Sequence, residues 1–280
     1  MLARIMADGL KGTYAPTTIV ENRVGGAGRI AVDYVKGAEA DGSVMLFTPD
    51  FLITVYPHSF KQLSYDPVKD FTPVAVVAKS ALCLSVGPAV PAEVKTLADF
   101  LQWCKANPKT ATYATTAAGG TPHFAGLMLS QASKVDMTPV HYKGGAPALQ
   151  DLIGGHVSSS VNPVGEALPF AKAGTIRVLA VTSAQRSAFM RDVPTMKEQG
   201  YNVVIEAWLG ALVPSKTPAD VVSKLNAAIK GVFGSPDVVQ KLSALGNEPD
   251  SRTPADFAAT VKADIERWGP VVKASGFVAD

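Results

Sequence analysis

The chain has 280 residues, 47% of them hydrophobic, enough to bury one large core or two medium ones. Its 26 Lys and Arg against 24 Asp and Glu leave a net charge of +2, interspersed rather than blocked, which excludes the basic field of a nucleic-acid binder or a membrane-surface protein. No apolar run approaches the ~18 residues of a membrane span, and the two cysteines, Cys83 and Cys104, lack C-x-x-C spacing and read as separate thiols.

In chain order, residues 1–10 read as an amphipathic helix, without the basic start, apolar middle and small-residue cleavage site of a signal peptide. A strand at 17–21, a glycine turn with a helix to about 38, and a strand at 44–47 follow, in the β-α-β rhythm of a parallel sheet covered by helices. Runs at 72–78 and 81–86 precede a helix over 97–106 that Asn107-Pro108 stops. Strands are expected near 110–115, 139–141, 158–162 and 176–182. After residues 208–213 the chain turns helical, over 218–233, 236–245 and 254–274, each helix with a proline near its first turn. The pattern suits two α/β lobes, with the helical tail packing back onto the first.

Two glycine-led helix starts carry the chemistry. In Tyr142-Lys143-Gly144-Gly145-Ala146-Pro147 a glycine pair opens an apolar helix beside a lysine. In Ala118-Gly119-Gly120-Thr121-Pro122 the same design follows a short strand and leads into a helix beginning near His123. Backbone N–H groups at a helix start hold anions, so two such mouths suggest a carboxylate binder. Lys143 reads either as a charge partner or as a lysine reaching to the surface. A neutral His123 would donate one hydrogen bond to a carboxylate, whereas a cationic one is disfavoured at a helix start; packing of the helix start is its other reading.

Gly26-Ala27-Gly28-Arg29-Ile30-Ala31 matches the G-x-G-x-x-A dinucleotide fingerprint, with Asp50 roughly where a ribose-binding acid belongs. Against that, Glu21-Asn22-Arg23 puts charge where a buried first strand stays apolar, Asp50 lies beyond Pro49, and the helix is short. The turn reads otherwise as a corner that permits close helix packing. G-x-S-x-G, P-loop and H-E-x-x-H motifs are missing, and His58, His123, His141 and His156 have no metal-ligand spacing, so neither a metal nor a cofactor is expected.

Val20-Glu21-Asn22-Arg23-Val24-Gly25-Gly26-Ala27-Gly28, Asp41-Gly42, the stretch from Tyr65-Asp66-Pro67 to Thr72-Pro73-Val74, Tyr142-Lys143-Gly144-Gly145, Arg177-Val178-Leu179-Ala180-Val181-Thr182, Val193-Pro194-Thr195-Met196 and Trp208-Leu209-Gly210 occur in one order. Together they resemble the solute-binding proteins of tripartite tricarboxylate transporters, across nearly the whole chain. The resemblance implies an α/β type II periplasmic binding protein: lobe 1 over 1–86 and 208–280, lobe 2 over 87–207, a hinge crossed twice, and a small organic acid held in the cleft between the lobes. It also demotes the Gly26 fingerprint to a structural corner. Family members begin with a signal peptide, a strand and a Pro-Gly-Gly turn; this chain starts inside the following helix and is read as a truncation rather than a cytosolic relative. Where members often carry an acid, this chain has Ser158.

The function expected is capture without chemistry, periplasmic, by a monomer that hands a carboxylate to the membrane subunits of a transporter and binds no nucleic acid. The expected ligand-binding residues are Thr48, Asp50, Thr115, Thr116, Gly120, Thr121, His123, Lys143, Gly144, Gly145, Ala146 and Asn162. Thr48 would be the first lobe's contribution and Asn162 a contact to the distal end of the ligand. Asp50 reads either as repelling a second ligand carboxylate or as a solvated cap. The alternatives are an NAD-dependent oxidoreductase using the Gly26-x-Gly28 turn and a ligand-responsive sensor.

Overall fold

The computed structural model describes residues 1–250 and 252–279. The chain opens with α1 (Leu2–Leu10), turns through a 3-10 segment at Gly26–Gly28 into α2 (Arg29–Lys36), and lays down β1 (Leu46–Pro49), the short helices α3 (Phe51–Thr54) and α4 (Tyr56–Ser59), and the long strand β2 (Phe71–Val86). Strands and helices then alternate through α5 (Leu97–Ala106), β3 (Thr112–Thr115), α6 (Thr121–Ser133), β4 (Thr138–His141), α7 (Gly145–Ile153), β5 (Ser159–Pro163), α8 (Val164–Lys172) and β6 (Arg177–Val181). After β7 (Glu206–Pro214) come α9 (Ala219–Phe233), α10 (Pro236–Ala244), the two-residue β8 (Glu248–Pro249) and α11 (Pro254–Ser275).

Helix boundaries follow local chemistry. Thr96 and Asp99 form a reciprocal capping box on α5, as Thr253 and Asp256 do on α11, satisfying N–H groups that a helix start leaves without intrahelical partners. Gly276, at φ 66°, closes α11 in the left-handed conformation that glycine adopts most readily.

Two compact units divide the chain: Met1–Lys79, Trp208–Ser243 and Glu248–Asp280 form unit 1, and Ser80–Ala207 with Ala244–Asn247 form unit 2. In unit 1, β7 lies between β1 and the first half of β2, and β8 pairs with β2 at Ala78 and Lys79. Its core joins Val32 and Val35 of α2, Leu52 and Ile53 of α3, Tyr56, Trp208 and Phe257. The Tyr65 hydroxyl donates to the Leu52 carbonyl, and the Trp208 indole donates to Asp264 at 3.0 Å, so the polar tips of these buried aromatics are partnered.

In unit 2 the second half of β2 is central, flanked antiparallel by β6 on one side and β5 on the other. Beyond β5 come β3 and then β4, both parallel to it. Ala148, Leu149 and Leu152 of α7 pack with Val164, Ala167 and Leu168 of α8 over Cys83 and Ala114 of the sheet. Cys83 and Cys104 are buried free thiols.

Two expectations are corrected. Residues 17–21 form no strand: Ile19 is 83% exposed and no described strand lies beside the run. A dinucleotide fingerprint requires that strand, and the glycine turn is instead a packing corner, with Gly28 at φ 92° against Leu52 and the Tyr56 hydroxyl donating to the Ala27 carbonyl at 3.1 Å. The two runs at 72–78 and 81–86 are one strand; Lys79 and Ser80 mark the passage from the first sheet to the second, not a turn. Residues 80–86 therefore belong to unit 2, where they pair with β5 and β6. The chain changes units there, again between Ala207 and Trp208, and twice more, before Ala244 and after Asn247.

Candidate functional site

Because β4, β3 and β5 run parallel and adjacent, their carboxyl ends share one edge of the unit 2 sheet. Each is followed by a helix that starts at that edge: α7 after β4, α6 after β3, α8 after β5. The carboxyl edge of parallel strands is where open α/β sheets place their ligands, and three helix starts give it a positive local field.

Between β3 and α6, Thr115 is fully buried and its hydroxyl donates to the Ala117 carbonyl at 3.0 Å while lying 3.2 Å from His141 Nδ1. The half-buried Thr116 accepts the Gly144 N–H on its carbonyl at 2.9 Å, tying the two loops together, and its hydroxyl has no partner among the described residues. Gly120, Thr121 and His123 are all buried, with Gly120 as the N-cap of α6.

His123 Nδ1 accepts the Gly119 N–H at 3.1 Å, so the neutral ring carries its proton on Nε2. Burial first, and the neighbouring His141 second, hold its pKa down at about 4; the two rings meet edge to face at 4.6 Å. The imidazole is neutral at pH 7, in keeping with a helix start that disfavours a cation. The Tyr113 hydroxyl donates to the His123 carbonyl at 3.0 Å and fixes the first turn of α6.

On the second loop, Tyr142 is anchored by its hydroxyl donating to Asp151 at 2.6 Å. Lys143 is exposed and forms no ion pair with a described residue. Gly144, at φ 104°, adopts a conformation that L side chains rarely take. Gly145 is buried and Ala146 exposed; as the first residues of α7 their N–H groups lie outside the intrahelical ladder.

Asn162, at the end of β5, is fully buried. Its Oδ1 accepts from the Ser160 hydroxyl and its Nδ2 donates to Glu166 Oε2 at 2.9 Å. Ser158 donates to the Thr112 carbonyl at 2.7 Å. Thr48 and Asp50 belong to unit 1. Thr48 is buried with its hydroxyl on the Pro49 carbonyl at 3.2 Å; Asp50 is 2% exposed, not solvated, and its N–H donates to the Trp208 carbonyl at 2.9 Å.

The sequence reading missed Glu166, in the first turn of α8. Its carboxylate lies against Gly145, where any Cβ would overlap it, and burial raises its pKa against the lowering effect of the Asn162 hydrogen bond. Nothing in the motif scan points there, because an acid in the first turn of a helix is ordinary dipole matching. Among the described residues no group of three or more His, Cys, Asp or Glu could hold a metal ion, and no helix is long and apolar enough to cross a membrane.

The sequence profile of the tripartite tricarboxylate transporter family receptor matches residues 2–277. The chain is similar to the solved R. palustris Rpa4515 with adipate, at 33% identity and a TM-score of 0.92, over 99% of this chain and 93% of that one. It is also similar to MatC (Rpa3494) from Rhodopseudomonas palustris with bound malate, at 30% identity and a TM-score of 0.87, over 97% of this chain and 93% of that one. Protein BugT of Bordetella pertussis is 28% identical over 278 residues, covering 99% of this chain and 85% of BugT.

Proposed function

The chain belongs to the tripartite tricarboxylate transporter receptor family, and we propose that this member captures a small organic carboxylate in the periplasm, without covalent chemistry, and hands it to the membrane subunits of its transporter. The observation that carries this reading is the convergence of three helix starts on the carboxyl edge of β4, β3 and β5. The ligand carboxylate takes the start of α6, around Gly120 and Thr121, with the Thr116 hydroxyl as a further donor. These groups are wholly or partly withdrawn from water, where an N–H or O–H contact to an anion gains strength. Each helix start adds ~0.3–1 kcal/mol, and a micromolar complex needs about 8 kcal/mol in all. Adipate and malate, held by two similar proteins, define the size range of the first ligands to try.

A thermal-shift screen against four- to six-carbon dicarboxylates, hydroxy acids and aromatic carboxylates, with NAD included, tests the reading. A ligand near one hundred times its Kd adds ~2.7 kcal/mol of stability. A shift with one class of acid and none with NAD is the expected result; a shift with NAD alone overturns the proposal.

A further inference from the structure

Glu166 stands beside the start of α7. The start of α7 offers the Gly145 and Ala146 N–H groups, yet Gly145 is packed directly against Glu166 Oε2, so closely that no Cβ fits between them. The carboxylate is held by a side-chain hydrogen bond. Asn162 Nδ2 donates to the same oxygen at 2.9 Å, and Asn162 is itself fixed by the Ser160 hydroxyl; both of these residues are fully buried. No Lys, Arg or His among the described residues pairs with Glu166, so its charge is compensated only by the Asn162 amide and by helix-start dipoles. Glu166 is exposed as a residue, while desolvation of its carboxylate raises its pKa. The side chain is therefore reachable from solvent.

We propose that Glu166 is a specificity-determining residue: its carboxylate takes the positive end of α7 for itself, so the ligand group that meets it is a hydrogen-bond donor, a hydroxyl or an ammonium, rather than a second carboxylate. The inference rests on the carboxylate-receptor reading and deepens it. One end of the ligand is an acid, bound at the start of α6; the other end is a donor. An anion placed beside Glu166 meets like charge, whereas an ammonium or hydroxyl gains a charge-assisted hydrogen bond. A purely structural Glu166, serving only to hold Asn162, would not sort ligands by their distal charge.

The experiment is calorimetric titration of the wild-type chain and of Glu166→Gln with matched series of three to six carbons: ω-hydroxy acids, ω-amino acids and the corresponding dicarboxylates. Glutamine keeps an acceptor for Asn162, and thermal melts of both proteins confirm the fold. The expected result is a wild-type preference for the hydroxy or amino acid over the dicarboxylate of equal length by at least about tenfold, collapsing or reversing in Glu166→Gln. If acids bind but the ratio is the same in both proteins, or if the wild type prefers the dicarboxylate, the role of Glu166 is wrong and the receptor reading stands. If no acid of any series binds either folded protein, the receptor reading itself fails and this inference falls with it.

Discussion

At the scale of single residues, His123 and Thr116 play opposite parts. The unfolded imidazole of His123 takes a proton near pH 6.5, whereas the buried ring refuses it down to about pH 4. The folded state therefore binds fewer protons across that window: the contribution is complete above pH 6.5 and is lost as pH falls towards 4, by up to ~1.4 kcal/mol per pH unit. His123→Asn keeps an acceptor for the Gly119 N–H but cannot titrate. Urea unfolding at pH 7, 5.5 and 4.5 is expected to show a shallower loss of stability in this variant than in the wild type; equal slopes would mean that His123 is protonated in the fold. The Thr116 hydroxyl, with no partner among the described residues, is available to a ligand. Thr116→Val is accordingly expected to leave the melting temperature nearly unchanged while weakening carboxylate affinity by about 1 kcal/mol, read by titration. Loss of stability without loss of affinity would remove Thr116 from the site.

Elements show what sequence pattern reveals and what it hides. The helix over 97–106 is legible to the residue because its capping box and its Asn107-Pro108 stop are local signals. The glycine-led starts of α6 and α7 are legible for the same reason. Residues 17–21 have the look of a strand, but a strand exists only with a neighbour's backbone beside it, and pattern carries no information about the neighbour. The polar Lys79-Ser80 pair reads as a break yet lies inside β2, because solvent-facing positions and a change of sheet look alike in sequence. Glu166 was invisible because its meaning comes from Gly145, 21 positions earlier in the chain. Packing between elements is equally hidden and makes a paired prediction. A methyl on Gly126 of α6 would run into the Tyr113 ring of β3, so Gly126→Ala should destabilise by about 1–3 kcal/mol. Gly231 of α9 has open space around its Cα and ordinary helical backbone, and Gly231→Ala should stabilise by about 0.5–1 kcal/mol. Denaturant titrations of both variants decide, and effects of equal sign would contradict the packing described.

For the whole molecule, the family and the fold class were readable because many weakly specific segments occur in one order along the chain, and the profile match over residues 2–277 agrees. Which chemistry the site selects was not readable, because three helices distant in sequence bring their starts to one sheet edge only through the parallel pairing of β4, β3 and β5. On the proposed function, this edge binds the acid. That binding is tested most directly by amide-resolved NMR of the 15N-labelled 29.2 kDa chain, titrated separately with adipate, malate and NAD. An acid is expected to shift the amides of Gly119 to Thr121 most, and NAD to shift none at the α6 and α7 starts. Saturable shifts confined to Gly26 to Arg29, or an acid that moves amides only outside the α6 and α7 starts, would contradict it.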